Sequence, residues 1–130
     1  MTPLPEPSFN DASLPARLAA ATGDELDAWP FGVIGFDADG VVQRYNAAES
    51  RLAGLSPDRV LGLPLFTTVA PCMNNYLVAQ RFEEARERGE PLDDTIDYVL
   101  TLRMRPIKVK LRLLATPGQV LRHVLVLRKA

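Results

Sequence analysis

The sequence predicts an α+β fold, a five-stranded antiparallel sheet with helices on one side and a helical cap at the amino end. Three observations carry this. Two apolar runs, Phe31 to Phe36 and Val41 to Tyr45, flank Asp37-Ala-Asp-Gly40, the grammar of a β-hairpin. Ile107-Lys-Val-Lys-Leu-Arg-Leu113 alternates apolar and cationic residues, and a Thr116-Pro-Gly118 turn leads into a further apolar run, Gln119 to Leu127. Between these strand-rich ends, Asn75 to Arg88 carries Leu77, Val78, Phe82 and Ala85 on one side of a helix and stops at Gly89.

Element by element, the amino end comes first. Pro3, Pro5 and Pro7 forbid a helix. Ser13 to Ala21 and Asp24 to Ala28 then read as short helices, marginal alone and needing something larger to dock on. Residues 1–28 are therefore expected to form a disordered tip plus a helical cap, and residues 29–130 the core, within a single domain. After the hairpin, Asn46 to Gly54 reads as a helix, and Ser56-Pro57 opens a second short one. Asp94 to Met104 is a third, less regular strand, followed by the alternating Ile107 strand, whose cations should face water.

Composition narrows the function classes. With 15 basic against 16 acidic residues in 130, the chain projects little long-range field, so nucleic acid is an unexpected partner. One cysteine makes no internal disulfide, the amino end lacks the pattern of a secretion signal, and no apolar run approaches a membrane span. A cytoplasmic protein without membrane contact is expected.

That cysteine, Cys72 in Val69-Ala-Pro-Cys-Met73, invites three readings: buried filler, nucleophile or attachment point. A thiol nucleophile needs a base, and the single histidine, His123, lies within the last strand, where packing is the ordinary role. One Cys and one His also give no metal cluster. A second feature is Tyr45-Asn-Ala-Ala-Glu49. Asn46 is a favoured helix N-cap with Glu49 three residues on, so Glu49 could simply complete a capping box. The same spacing also sets Tyr45 and Glu49 about one turn apart, able to share a cavity.

FGVIGFDADGVVQRYNAAE, VAPC and MRPIKVKL, in this order and spacing, resemble the photoactive yellow protein family, bacterial blue-light receptors built on a PAS domain. The resemblance runs from about Leu26 to Lys129 and implies a PAS fold. It further implies 4-hydroxycinnamic acid (p-coumaric acid) bound covalently as a thioester to Cys72, with Tyr45 and Glu49 hydrogen-bonded to its phenolic oxygen. Ile34, Leu65, Ala70, Pro71, Tyr98 and Met104 would line the remaining pocket. Four pocket positions depart from the best-known members. Ala53 stands for a threonine supporting the tyrosine, Leu55 for a covering arginine, and Leu100 and Leu102 for aromatic rings. Such changes loosen a cavity and leave Tyr45 less well positioned.

On the family's pattern, light isomerises the cinnamoyl double bond and Glu49, neutral in the dark, gives up its proton. The resulting buried carboxylate, without partners, strains the fold by several kcal/mol. The weakest element, the cap from Ser8 to Ala28, then loosens toward an unidentified downstream signalling protein. The expected protein is a photoreceptor, not an enzyme, and a monomer or weak dimer. The alternative is a PAS-like ligand-binding or dimerisation module without bound chromophore.

Overall fold

Gly40 adopts φ +81°, the left-handed conformation that lets the Asp37–Gly40 turn close. Asp37 Oδ1 accepts from the amides of Asp39 and Val41 at 2.9 and 3.0 Å and braces the same turn. The hairpin so formed, β1 (Gly32–Phe36) with β2 (Val42–Tyr45), is one edge of the sheet in this computed structural model, which describes residues 7–101 and 106–128. β3 (Leu92–Leu100), β4 (Ile107–Ala115) and β5 (Arg122–Arg128) complete an antiparallel sheet of order β2-β1-β5-β4-β3. This is the PAS fold that the motif order implies. Of the third strand, Met104 lies outside the described residues.

α3 (Ala47–Ala53), α4 (Pro57–Val60) and α5 (Ala79–Arg88) follow the hairpin and cover one face. There Ile34, Phe36, Leu111, Leu113, Val124 and Val126 form the main core with Met73 and Phe82, and the Phe36 and Phe82 rings meet edge to face at 4.9 Å. α5 starts four residues later than its apolar pattern predicts. The reason is Asn75, whose Oδ1 accepts from the amides of Leu77 and Val78, holding that segment in a turn that competes with the helix.

The second face is covered too. α1 (Leu14–Ala20) and α2 (Gly23–Asp27) place Leu14, Leu18 and Leu26, together with Phe9 and Trp29, against Val33, Leu114 and Leu125. This corrects the expectation that the cations of β4 face water: Lys108 is exposed, but Arg112 is 4% exposed because the cap lies over it. Its guanidinium pairs with Asp93 and donates to the carbonyls of Phe9 and Asp11 at 3.1 and 2.7 Å. Arg44 on β2 similarly donates to Leu18 and Ala21 carbonyls at 2.7 and 3.1 Å. Two arginines thus tie the cap to the sheet by its backbone.

His123 packs beneath the cap, 6% exposed, with Nε2 3.4 Å from Arg44 Nη1. Burial, reinforced by the Arg44 charge, pushes its pKa down to about 3. An unfolded chain takes up this proton near ~6.5, and the folded chain only near 3, so stability falls as pH drops through that window. The slope is at most about 1.4 kcal/mol per pH unit. Urea unfolding at about pH 6.5 and about pH 4 checks this. His123→Leu is expected to lose less stability on acidification than the wild type; equal losses would remove His123 from the account.

Candidate functional site

Asn46 organises one end of the site. It caps α3 from an extended conformation, its Oδ1 accepting from the Glu49 amide at 3.1 Å and from the Val33 amide on β1 at 2.8 Å. Its Nδ2 donates to the carbonyls of Leu26 at 2.8 Å and Phe31 at 3.0 Å, and the Ala47 amide donates to Asp27 Oδ1 at 2.8 Å. The helix that carries Glu49 is therefore joined directly to the cap and to β1.

The Glu49 carboxyl does not turn back to complete the capping box. It is buried, and its Oε1 and Oε2 accept from Arg128 Nη1 and Nη2 at 2.7 and 3.1 Å. Gly32 on β1 makes room: a Cβ there would collide with Glu49 Oε1 and lie 3.1 Å from the Glu49 Cβ and Cδ. Burial raises the Glu49 pKa, and the Arg128 hydrogen bonds and charge act in the opposite direction. Tyr45, closing β2 beside it, is shifted well above the ordinary phenol range, by burial first and by Glu49 second. Tyr45 is thus held as a neutral phenol, able to donate. The Glu49 carboxyl, which the family's pattern leaves without a partner once it is ionised, has the Arg128 guanidinium beside it here. The signal of Arg128 in the sequence was the alternation Val124, Val126, Arg128 along β5, carried one step further than the apolar run.

The other end is the loop of Cys72. A π-helical turn, Leu65–Val69, delivers Ala70, and a 3-10 turn, Pro71–Met73, presents Cys72 half-buried, with Pro71 exposed. Tyr98 Oη donates to the Cys72 carbonyl at 2.6 Å, and Asn75 Nδ2 donates to the same carbonyl at 3.2 Å and to Tyr98 Oη. Asn75 was not singled out in the sequence; an amide three residues past a cysteine was its only mark.

These parts border one apolar body. Ile34, Tyr45, Leu65, Ala70 and Leu100 are buried in the main core, and Leu55, Cys72 and Tyr98 pack half-buried against it. Ala53 is buried on α3, while Leu102 and Met104 lie outside the described residues. His123 sits on the opposite, cap-covered face of the sheet, so it is no base for Cys72. Among the described residues no helix is long and apolar enough to cross a membrane.

A family profile described as the PAS fold matches residues 26–130. The photoactive yellow protein of Halochromatium salexigens is 35% identical over 105 residues, 81% of this chain and 83% of that protein. That of Rhodothalassium salexigens is 38% identical over 95 residues, 72% of this chain and 75% of the relative. Among solved structures, the photoactive yellow protein domain of the sensor histidine kinase Ppr from Rhodospirillum centenum superposes with a TM-score of 0.79 at 36% identity, covering 88% of this chain and 99% of that one. The PAS domain of the Cronobacter turicensis RpfR quorum-sensing receptor, 15% identical with a TM-score of 0.60, shares the fold. With the PAS sheet, the APC turn and the YNAAE helix start in one frame, the chain belongs to the photoactive yellow protein family.

Proposed function

We propose that this protein is a blue-light photoreceptor that carries 4-hydroxycinnamic acid as a thioester on Cys72. The observation that carries the proposal is that the half-buried thiol and Tyr45 border one apolar core, with the buried Glu49 acting electrostatically on Tyr45, in a member of this family. When bound, the group supplies a phenolic oxygen that exchanges a proton and a double bond that light isomerises. Cys72 anchors one end, its loop steadied by Tyr98 and Asn75. Tyr45, a neutral phenol, donates at the other end, and Glu49 holds or releases a proton there. Leu55, Leu65 and Leu100 exclude water, which strengthens each of these polar contacts.

A change at Glu49 has a short route outward. Asn46 binds both the Glu49 amide and the Leu26 carbonyl, so displacement of the first turn of α3 strains the seat of the cap. The loosened cap would engage a downstream signalling protein in the cytoplasm, in keeping with the relative found as a domain of a sensor histidine kinase. One observation favours a second reading, a PAS module that binds no chromophore: the Glu49 carboxyl is already engaged by Arg128.

Incubation with an activated 4-hydroxycinnamate thioester separates the two. By thioester exchange, with release of the activating thiol, the photoreceptor is expected to gain a visible absorption band and the mass of one 4-hydroxycinnamoyl group, both lost in Cys72→Ala. Colourless, unmodified wild-type protein would sink the proposal.

A further inference from the structure

β5 places a cation on the core side of the sheet. Arg128 follows Val124 and Val126 at two-residue steps, and its side chain is 9% exposed. A cation so placed is costly unless paired. Its Nη1 and Nη2 meet the two carboxylate oxygens of Glu49 as a planar fork, while its Nε is buried with no partner among the described residues.

Local architecture does not call for this pair. Asn46 alone caps the Glu49 amide, so α3 needs no carboxyl at that position. A buried ion pair is often no more stabilising than apolar side chains of the same volume, so stability is a weak reason for it. Space has nonetheless been left for it, since only a residue without a Cβ at position 32 admits Glu49 Oε1. Among the described residues, the charged and titratable groups acting on Glu49 are Arg128 from β5 and Tyr45 from β2.

We infer that Arg128 is a positioning residue that sets the protonation state of Glu49, holding it as a carboxylate at the β1–β5 end and competing for it with whatever lies at Tyr45. Glu49 then has two stations. Protonated, it serves as a donor beside Tyr45; ionised, it rests on Arg128 with its charge compensated in place. The consequence for signalling rests on the photoreceptor reading. A compensated carboxylate leaves less buried charge to push the cap from the sheet, so cap release depends on how firmly Arg128 holds Glu49.

The test uses the chromophore-free protein with ¹³C-labelled glutamate carboxyls, titrated by NMR. The Glu49 resonance, assigned by its loss in Glu49→Gln, is expected to titrate about 1–3 pH units higher in Arg128→Gln than in the wild type. Arg128→Lys, with one donor group in place of the fork, falls between. Equal midpoints in wild type and Arg128→Gln overturn the inference. Should Arg128→Gln fail to fold, wild type against Arg128→Lys decides: a raised midpoint supports it and an unchanged one overturns it. The two readings fail separately. A protein that never takes up the cinnamate but shows the shift loses the photoreceptor and keeps the role of Arg128; a coloured protein without the shift does the reverse.

Discussion

Gly32→Ala is expected to destabilise the protein by about 3 kcal/mol or more, from overpacking together with loss of a buried ion pair. The added methyl falls on Glu49 Oε1 and within 3.1 Å of the Glu49 Cβ and Cδ. Rotating the carboxyl away relieves the contact with Oε1, but the Glu49 Cβ, on the stem of α3, must still yield by a few tenths of an ångström. Two responses remain. If the carboxyl leaves, Arg128 stays buried without a partner. If α3 withdraws from β1, the bond from the Val33 amide to Asn46 Oδ1, 2.8 Å long, is lost and the Leu26 seat of the cap with it. Gly23→Ala is the control, because a Cβ there meets nothing within 4 Å and the position opens a helix; its effect should stay under about 1 kcal/mol. Urea denaturation of both variants checks the contrast. A Gly32→Ala protein as stable as the wild type would show that Glu49 does not need the space.

The same contrast explains what could be read from the sequence. The hairpin was legible because Gly40 and Asp37 write its turn locally, and the stop of α5 because Gly89 takes the left-handed conformation its sequence position suggests. Asn46 announced itself as a cap. What lay hidden depends on which surface covers which. A period of two says which residues of β4 share a face, but not that the cap turns the face of Arg112 into an interior. Likewise the YNAAE motif names Glu49, whereas its pairing with Arg128 requires β1 and β5 to be neighbours, with Gly32 opposite Val126, a pairing 94 residues apart in the chain. Asn75 shortened α5 because its side chain serves the Cys72 loop, a demand of tertiary structure on a residue whose neighbours favour helix.

Arg112→Met is expected to free the start of the cap while the sheet stays folded. Methionine replaces most of the apolar stem, so the change falls on the guanidinium. Two donations to backbone carbonyls are lost, to Phe9 and Asp11. Asp93, whose side chain is 48% exposed, returns to water at little cost once its partner is gone. Hydrogen bonds from charged donors are worth about 1.5–3 kcal/mol each, and discounting for rehydration leaves about 2–3 kcal/mol lost, confined to the cap. At tenfold per 1.4 kcal/mol, amide exchange near Phe9 to Leu14 should accelerate by about 30- to 150-fold. Leu18 and Ala21 remain held by Arg44, so α1 should open less than the segment before it. Hydrogen-exchange mass spectrometry with overlapping peptides resolves these segments from β4 and α5, where protection should be unchanged. Faster exchange spread evenly over the sheet would mean that Arg112 supports the core itself, and the cap would then be fastened by its apolar contacts with Val33, Leu114 and Leu125 rather than by its backbone.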